Sequence, residues 1–117
     1  MIQEELVTLE TADLLKEKGF NERKYLIDVS TLNHCYKYLS VPPQSVAQKW
    51  LREIRGVYVY VEPVIGKRWK LSFCDFNVPT EESDWMENEI NKGNGYKVYD
   101  TYEEALEAGI QEALKLI

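Results

Sequence analysis

The stretch VYVYVEPVIGKRWKLSF, residues 57–73, decides the fold class of this chain. Valine alternates with tyrosine over its first five residues, and large apolar residues alternate with polar ones from Trp69 to Phe73. A period of two is typical of β-strands that bury one face, and Gly66 between the two runs favours a turn. The stretch therefore predicts an antiparallel hairpin. Its buried face would carry Val57, Val59, Val61, Trp69, Leu71 and Phe73, and its other face Tyr58, Tyr60, Lys70 and Ser72.

Helices are predicted on both sides of this hairpin. Apolar residues recur at helical spacing in residues 44–55, which follow two prolines, and also in Thr8–Lys18, which a glycine follows. The last helix should run from Thr101 to about Leu116. Thr101 and Glu104 mark its start, because at this spacing a hydroxyl and a carboxylate can satisfy each other's free backbone amides.

Shorter elements are predicted in the rest of the chain. Tyrosine and β-branched residues favour strands near Lys24–Val29 and His34–Leu39, and a further strand from Tyr96 to Tyr99. Residues 77–91 are acidic and polar, which favours a loop with one helical turn. The run Gly93-Asn94-Gly95 favours a turn.

The composition is that of a folded domain, because 44% of the 117 residues are apolar and 12% are aromatic, whereas disordered chains are poor in both. We therefore predict a single α+β domain over residues 1–117. In this fold a small antiparallel sheet of three to five strands is packed with about three helices, including a long C-terminal helix.

The charge of the chain is negative and unevenly distributed. The net charge is −6, made up of −2 over residues 1–43, +3 over residues 44–77 and −7 over residues 78–117. General binding of nucleic acid relies on a basic surface, which argues against that function for the whole chain. The first residues are acidic rather than basic, and no apolar run approaches the roughly 20 residues needed to cross a bilayer. We therefore expect a cytoplasmic protein with no membrane partner.

Residues that carry catalytic or metal chemistry are sparse. His34 is the one histidine, and the sequence holds no nucleophile elbow and no paired metal-ligand motif. Cys35 and Cys74 lack redox spacing and are expected to be reduced thiols packed in the interior. A zinc site of His34, Cys35, Cys74 and Asp75 would have suitable ligand types, but nothing in their spacing requires it. We expect no enzyme activity, no metal and no cofactor.

An acidic cluster in the C-terminal third has two interpretations. It could bind a divalent cation or act in acid–base chemistry, but it lacks the spacing of a calcium loop. A solvated flank is the simpler interpretation. The cluster consists of Glu81, Glu82, Asp84, Glu87 and Glu89.

The basic middle segment supports one hypothesis about function. An amphipathic helix followed by a hairpin resembles in outline a recognition helix followed by a wing, with Tyr58 available to stack on bases. The chain would then be a small nucleic-acid-binding regulator that uses residues 44–55 and 57–75. Its contacts would be Lys49, Arg52, Arg55, Lys67, Arg68 and Lys70.

The leading hypothesis is instead a non-enzymatic protein-interaction or accessory protein, acting on a protein partner or on itself as a homodimer. Aromatic residues are enriched in binding patches, and a ridge of small residues on the last helix allows close approach of another backbone. The first surface would be one sheet face with Tyr36, Tyr38, Tyr58 and Tyr60, and the second a dimer contact through Ala105, Gly109 and Ala113.

Three blocks of the sequence carry a resemblance. They are ETADLLKEKGF at residues 10–20, QSVAQKWLREI at residues 44–54, and YDTYEEALEAGIQEALKLI at residues 99–117. Together they resemble a group of short uncharacterised bacterial proteins that are often found among phage and mobile-element genes. The resemblance implies a cytoplasmic protein of phage or mobile-element origin and supplies no activity.

Overall fold

The computed structural model describes residues 4–92 and 95–117. Over these residues the chain is an α+β protein with four α-helices and two antiparallel sheets, one of two strands and one of three. The helices are α1 (Leu9–Glu17), α2 (Gln44–Ile54), α3 (Trp85–Asn91) and α4 (Tyr102–Leu116). The strands are β1 (Leu26–Asp28), β2 (Tyr38–Ser40), β3 (Val57–Val64), β4 (Arg68–Asp75) and β5 (Val98–Tyr99). The smaller sheet pairs β1 with β2, and the larger has the order β3-β4-β5.

The predicted hairpin is confirmed by β3 and β4. Val59 lies opposite Phe73 and Val61 opposite Leu71, which puts the alternating apolar residues on one face, as the period of two requires. Gly66 lies in the turn with a positive φ of 92°, a conformation that glycine adopts without strain. Ser72 lies on the opposite face as predicted, but only 3% of it is exposed.

The ridge on α4 packs against the larger sheet of the same chain. Ala105, Gly109 and Ala113 are all buried, and a Cβ added to Gly109 would lie 2.7 Å from Val59 Cγ1 and 2.9 Å from Leu71 Cδ2. The small residues therefore let α4 approach the sheet side chains closely. The prediction that this ridge forms a dimer contact is wrong, because the hairpin of the same chain already covers it.

The helix boundaries predicted for α1, α2 and α4 are confirmed. The hydroxyl of Thr8 accepts a hydrogen bond from the Thr11 amide, and that of Thr101 accepts one from the Glu104 amide at 3.0 Å. These bonds satisfy amides that have no partner within the helix. At the other end of α1, the Arg55 guanidinium donates to the free carbonyl of Lys18 at 2.9 Å.

Helices α2 and α3 supply side chains to the two edges of the larger sheet. Gln48 Nε2 donates to the Val59 carbonyl on the β3 edge at 2.7 Å. Glu87 Oε1 accepts from the Phe73 amide at 2.7 Å, on the part of the β4 edge that β5 does not reach. Each side chain replaces a hydrogen-bond partner that another strand would have provided.

The sequence expectations differ from the structure in two segments. Residues 77–91 contain the helix α3 as well as a short 3-10 turn at Thr80–Glu82, and Met86 of α3 is fully buried. In residues 24–39 the strands are only three residues long, and 3-10 turns at Arg23–Tyr25 and Ser30–Leu32 occupy part of the predicted strand and turn. The turn predicted at Gly93-Asn94-Gly95 falls largely outside the described residues.

Candidate interaction surface

The four tyrosines predicted to share one sheet face lie in two separate places. Tyr38 belongs to β2 of the smaller sheet, and Tyr36 precedes it in the loop. Tyr58 and Tyr60 belong to β3 of the larger sheet, where their rings stack with centroids 4.9 Å apart. The prediction of a single tyrosine face is therefore wrong, because the strands that carry these residues never pair with each other.

Among the residues that the structure describes, β1 pairs with β2 alone, so its other edge is open. Ile27 lies opposite Leu39, and the ladder continues on either side with the bonds from Val29 N–H to Lys37 C=O and from Val41 N–H to Tyr25 C=O. Backbone groups point alternately to the two sides of a strand. The amide of Asp28 and the carbonyls of Leu26 and Asp28 consequently point away from β2. The Leu26 amide bonds to the Arg23 carbonyl in the preceding turn.

Large apolar side chains are exposed along and beside this edge. All three residues of β1 are exposed, with Leu26 at 46% and Ile27 at 41% of their full surface. Leu26 points to the same face as Tyr38, whereas Ile27 points to the face of the buried Leu39. An extended segment lying along β1 would therefore find apolar contacts on both faces. The exposed set is Leu26, Ile27, Leu32, Tyr36 and Tyr38.

Charged residues of opposite sign stand at the two ends of β1. Lys24 precedes the strand, with its ammonium 5.7 Å from the centre of the Tyr25 ring. Asp28 ends the strand, and its carboxylate accepts hydrogen bonds from the amide and the hydroxyl of Ser30, at 2.9 and 2.6 Å. The pKa of Asp28 lies below its ordinary value, mainly because its carboxylate accepts the hydrogen bond from the Ser30 hydroxyl. Asp28 therefore carries its negative charge at neutral pH.

The outer face of the larger sheet carries the second tyrosine pair. The Arg52 guanidinium lies 5.6 Å from the centre of the Tyr58 ring. Burial raises the pKa of Tyr60 above its ordinary value, and the carboxylates of Glu62 and Glu87 add to this. Both tyrosines are half-buried, so this face offers a contact area less exposed than the β1 edge.

The six basic residues of the nucleic-acid hypothesis fall into two groups. Arg55 lies just before β3, and Arg68 pairs with Val64 at the far end of that eight-residue strand, roughly 23 Å away along an extended chain. Carboxylates stand beside several of these cations: Glu53 beside Arg52, Glu62 beside Lys70, and Asp100 beside Arg68, at 3.4 to 3.7 Å. The arrangement provides no continuous basic surface, and the hypothesis stays a prediction.

His34 is held in a position that leaves no free ring nitrogen. Its Nε2 lies 2.8 Å from Asp13 Oδ1, and its Nδ1 lies 3.1 Å from the amide nitrogen of Tyr36. Because an amide can only donate, the ring accepts at Nδ1 and carries its proton on Nε2. The pair ties the loop before β2 to α1.

The residues considered for metal binding do not come together. Asp75 is buried, and its carboxylate accepts from the Trp85 indole at 2.7 Å and from the Asn77 amide at 2.9 Å. Within residues 4–92 and 95–117, no three histidine, cysteine or acidic side chains are close enough to share a metal ion.

Cys35 is an exposed thiol, which corrects the expectation that both cysteines are interior, and Cys74 is partly buried. Of the acidic cluster, Glu81, Glu82, Asp84 and Glu89 are exposed, and Glu87 binds the Phe73 amide.

A polar junction around Glu107 was not anticipated from the sequence. Its carboxylate accepts from the amide and hydroxyl of Thr8, each at 3.0 Å, from the Thr11 hydroxyl, and from Gln44 Nε2 at 2.9 Å. The Glu107 carboxylate thus lies at the start of both α1 and α2, where the backbone amides favour negative charge. An open cavity of about 690 Å³ adjoins it, also lined by Glu5, Glu103 and Glu104. Because all of these bonds are internal, we interpret the junction as a structural link between three helices.

Comparison with protein-family models, with curated proteins and with solved structures finds no match to this chain. Among the described residues, no helix combines the length and the apolar character needed to cross a membrane.

Proposed function

We propose that this chain is a non-enzymatic protein-interaction module that binds an extended segment of another polypeptide along the free edge of β1. The observation that carries the proposal is the exposure of all three β1 residues beside outward-facing backbone groups. Strand addition uses these two features, since main-chain hydrogen bonds give affinity and side-chain contacts give specificity.

The surroundings of β1 favour strand addition over binding to the face of a sheet. Proteins commonly protect free strand edges with charge, proline or a covering element. The β3 edge of the larger sheet has Pro63 near its end and Gln48 bonded to the Val59 carbonyl. The β1 edge has charged residues only towards its ends, Lys24 and Asp28, and between them it presents Leu26 and Ile27 to solvent. An incoming strand would bury Ile27 on one face and Leu26 on the other.

The first test compares two variants that make the same substitution, isoleucine to lysine, at different positions. Ile27→Lys places a charge in the middle of the β1 edge, whereas Ile65→Lys places one at the tip of the hairpin, where the isoleucine is fully exposed. Both proteins are tagged and purified from cells that make the chain, and co-purifying polypeptides are quantified against the wild type. We expect the Ile27→Lys variant to lose a specific partner about tenfold or more, and the Ile65→Lys variant to retain it.

The second part of the test locates the contact. Hydrogen exchange of the recovered complex is compared with that of the free chain at the level of single amides. Strand addition slows the exchange of the Asp28 amide, because that amide then donates to the partner. If both variants keep the partner, or if the Asp28 amide exchanges at the same rate in the complex, the β1 edge is not the binding site.

A further inference from the structure

We infer that the segment received by the β1 edge is the β1 strand of a second copy of this chain, which joins two smaller sheets into one four-stranded antiparallel sheet. This inference rests on the proposed function and names its partner. The argument for a second copy comes from the order of charge and apolar character along the edge.

The charges at the ends of β1 are complementary to themselves when the strand is reversed. Lys24 lies in the 3-10 turn that leads into β1, two residues before the strand begins, and Asp28 ends the strand. In an antiparallel pair related by a twofold axis, the beginning of one strand lies beside the end of the other. With the axis at Ile27, Asp28 of one copy lies opposite Leu26 of the other. Lys24, two residues before that Leu26, is then the diagonal neighbour of Asp28, close enough for its long side chain to form an ion pair in each direction. A parallel arrangement would bring like charges together, and neither ion pair would form.

The apolar residues fit the same arrangement. With the axis at Ile27, the two Ile27 side chains face each other directly, and the two Leu26 side chains are diagonal neighbours on the opposite face. The outward amide of Asp28 can donate to the Leu26 carbonyl of the second copy, once in each direction. Moving the axis by one residue, from Ile27 to Asp28, shifts the register by two residues and would place the two Asp28 carboxylates opposite each other, which is unfavourable.

The size of the contact sets the expected strength. A pairing of three residues on each strand buries far less than the roughly 1,200 Å² of a standard stable interface. The dimer should therefore form and dissociate with concentration. Sedimentation velocity between about 10 µM and about 1 mM should show the shift from monomer to dimer.

A charge exchange tests the pairing directly. Lys24→Asp gives an edge with two acids, and Asp28→Lys gives one with two bases, so each variant alone repels its own copy. We expect the dimer dissociation constant to rise about tenfold or more in either variant. An equimolar mixture of the two variants restores opposite charges at both crossings and should dimerise as the wild type does. Recovery in the mixture also shows that both variants are folded.

Lys37→Asp is the matched control, because it makes the same charge change on a base that lies over the Tyr38 ring, beside β2 rather than on the β1 edge. It should leave the dimer unchanged.

The inference is overturned if the wild type stays monomeric throughout the range, or if the mixture fails to dimerise while each single variant is folded by circular dichroism. A monomeric wild type whose Ile27→Lys variant still loses a cellular partner would remove self-pairing and leave the proposed function standing. A dimer that is insensitive to Ile27→Lys and to both charge reversals would form through another surface and would also overturn self-pairing at β1.

Discussion

At the scale of single residues, Gly109 lies where the sheet leaves no room for a side chain. Glycine within a helix costs up to about 1 kcal/mol relative to alanine, so α4 accepts this cost in order to approach the sheet. The added Cβ of an alanine would contact Val59, whose branched side chain has few alternative rotamers. Strain from such overpacking is typically 1–3 kcal/mol and exceeds the gain in helix propensity.

We therefore predict that Gly109→Ala lowers the free energy of unfolding by about 1 kcal/mol, or roughly 4 °C in Tm. Chemical denaturation followed by tryptophan fluorescence would measure it. The control is the same substitution in a Val59→Ala background, where the contact with Val59 is removed and only the end of the flexible Leu71 side chain remains close, so the cost should fall. An equal cost in both backgrounds would show that contact with Val59 is not the cause.

At the scale of elements, the open face of the larger sheet should make stability sensitive to high pH through Tyr60. Burial raises the pKa of this phenol in the folded state above 10.0, its ordinary value. Between that value and the raised pKa, the unfolded chain loses a proton that the folded chain keeps. The free energy of unfolding must therefore fall as the pH rises above about 10.

We predict that Tyr60→Phe makes this alkaline loss of stability less steep. The measurement is urea denaturation at a series of pH values from about 8 to about 11. Part of the loss should remain in the variant, because burial also raises the pKa of Tyr99. Identical slopes in the wild type and the variant would contradict the prediction.

The elements that could be predicted are those whose apolar residues recur at a clear period. The hairpin, α1, α2 and α4 all show such a period, and Thr101 caps α4 as its spacing from Glu104 predicted. Helix α3 was predicted only as a single helical turn because it has few apolar residues, and the burial of Met86 depends on packing against distant parts of the chain. The free β1 edge was missed for the same kind of reason. Leu26 and Ile27 have the composition of a buried strand, and only the tertiary arrangement leaves them exposed.

At the scale of the whole molecule, the two sheets should differ in local stability. The larger sheet packs against α4, six of whose residues are buried, whereas β1 and β2 have three residues each and β1 has no buried residue. Segments with little buried apolar surface open most readily.

We predict that amides in residues 22–40 exchange with solvent faster than those of α4, β3 and β4, when the chain is dilute enough to be monomeric. Hydrogen exchange with mass spectrometry on peptides of these segments would show it. Equal protection across both sheets would mean that the chain opens as one cooperative unit instead.

The contact between α1 and α4 has a consequence for how the chain folds during synthesis. Thr8 binds Glu107, and the Lys18 ammonium donates to the carbonyl of Ile117 at 2.8 Å, so partners about a hundred residues apart hold the first helix in place. A ribosome makes α1 long before residues 102–117 emerge. During translation α1 therefore cannot make these contacts until the end of the chain emerges, which places its docking on α4 late in the folding of the nascent chain.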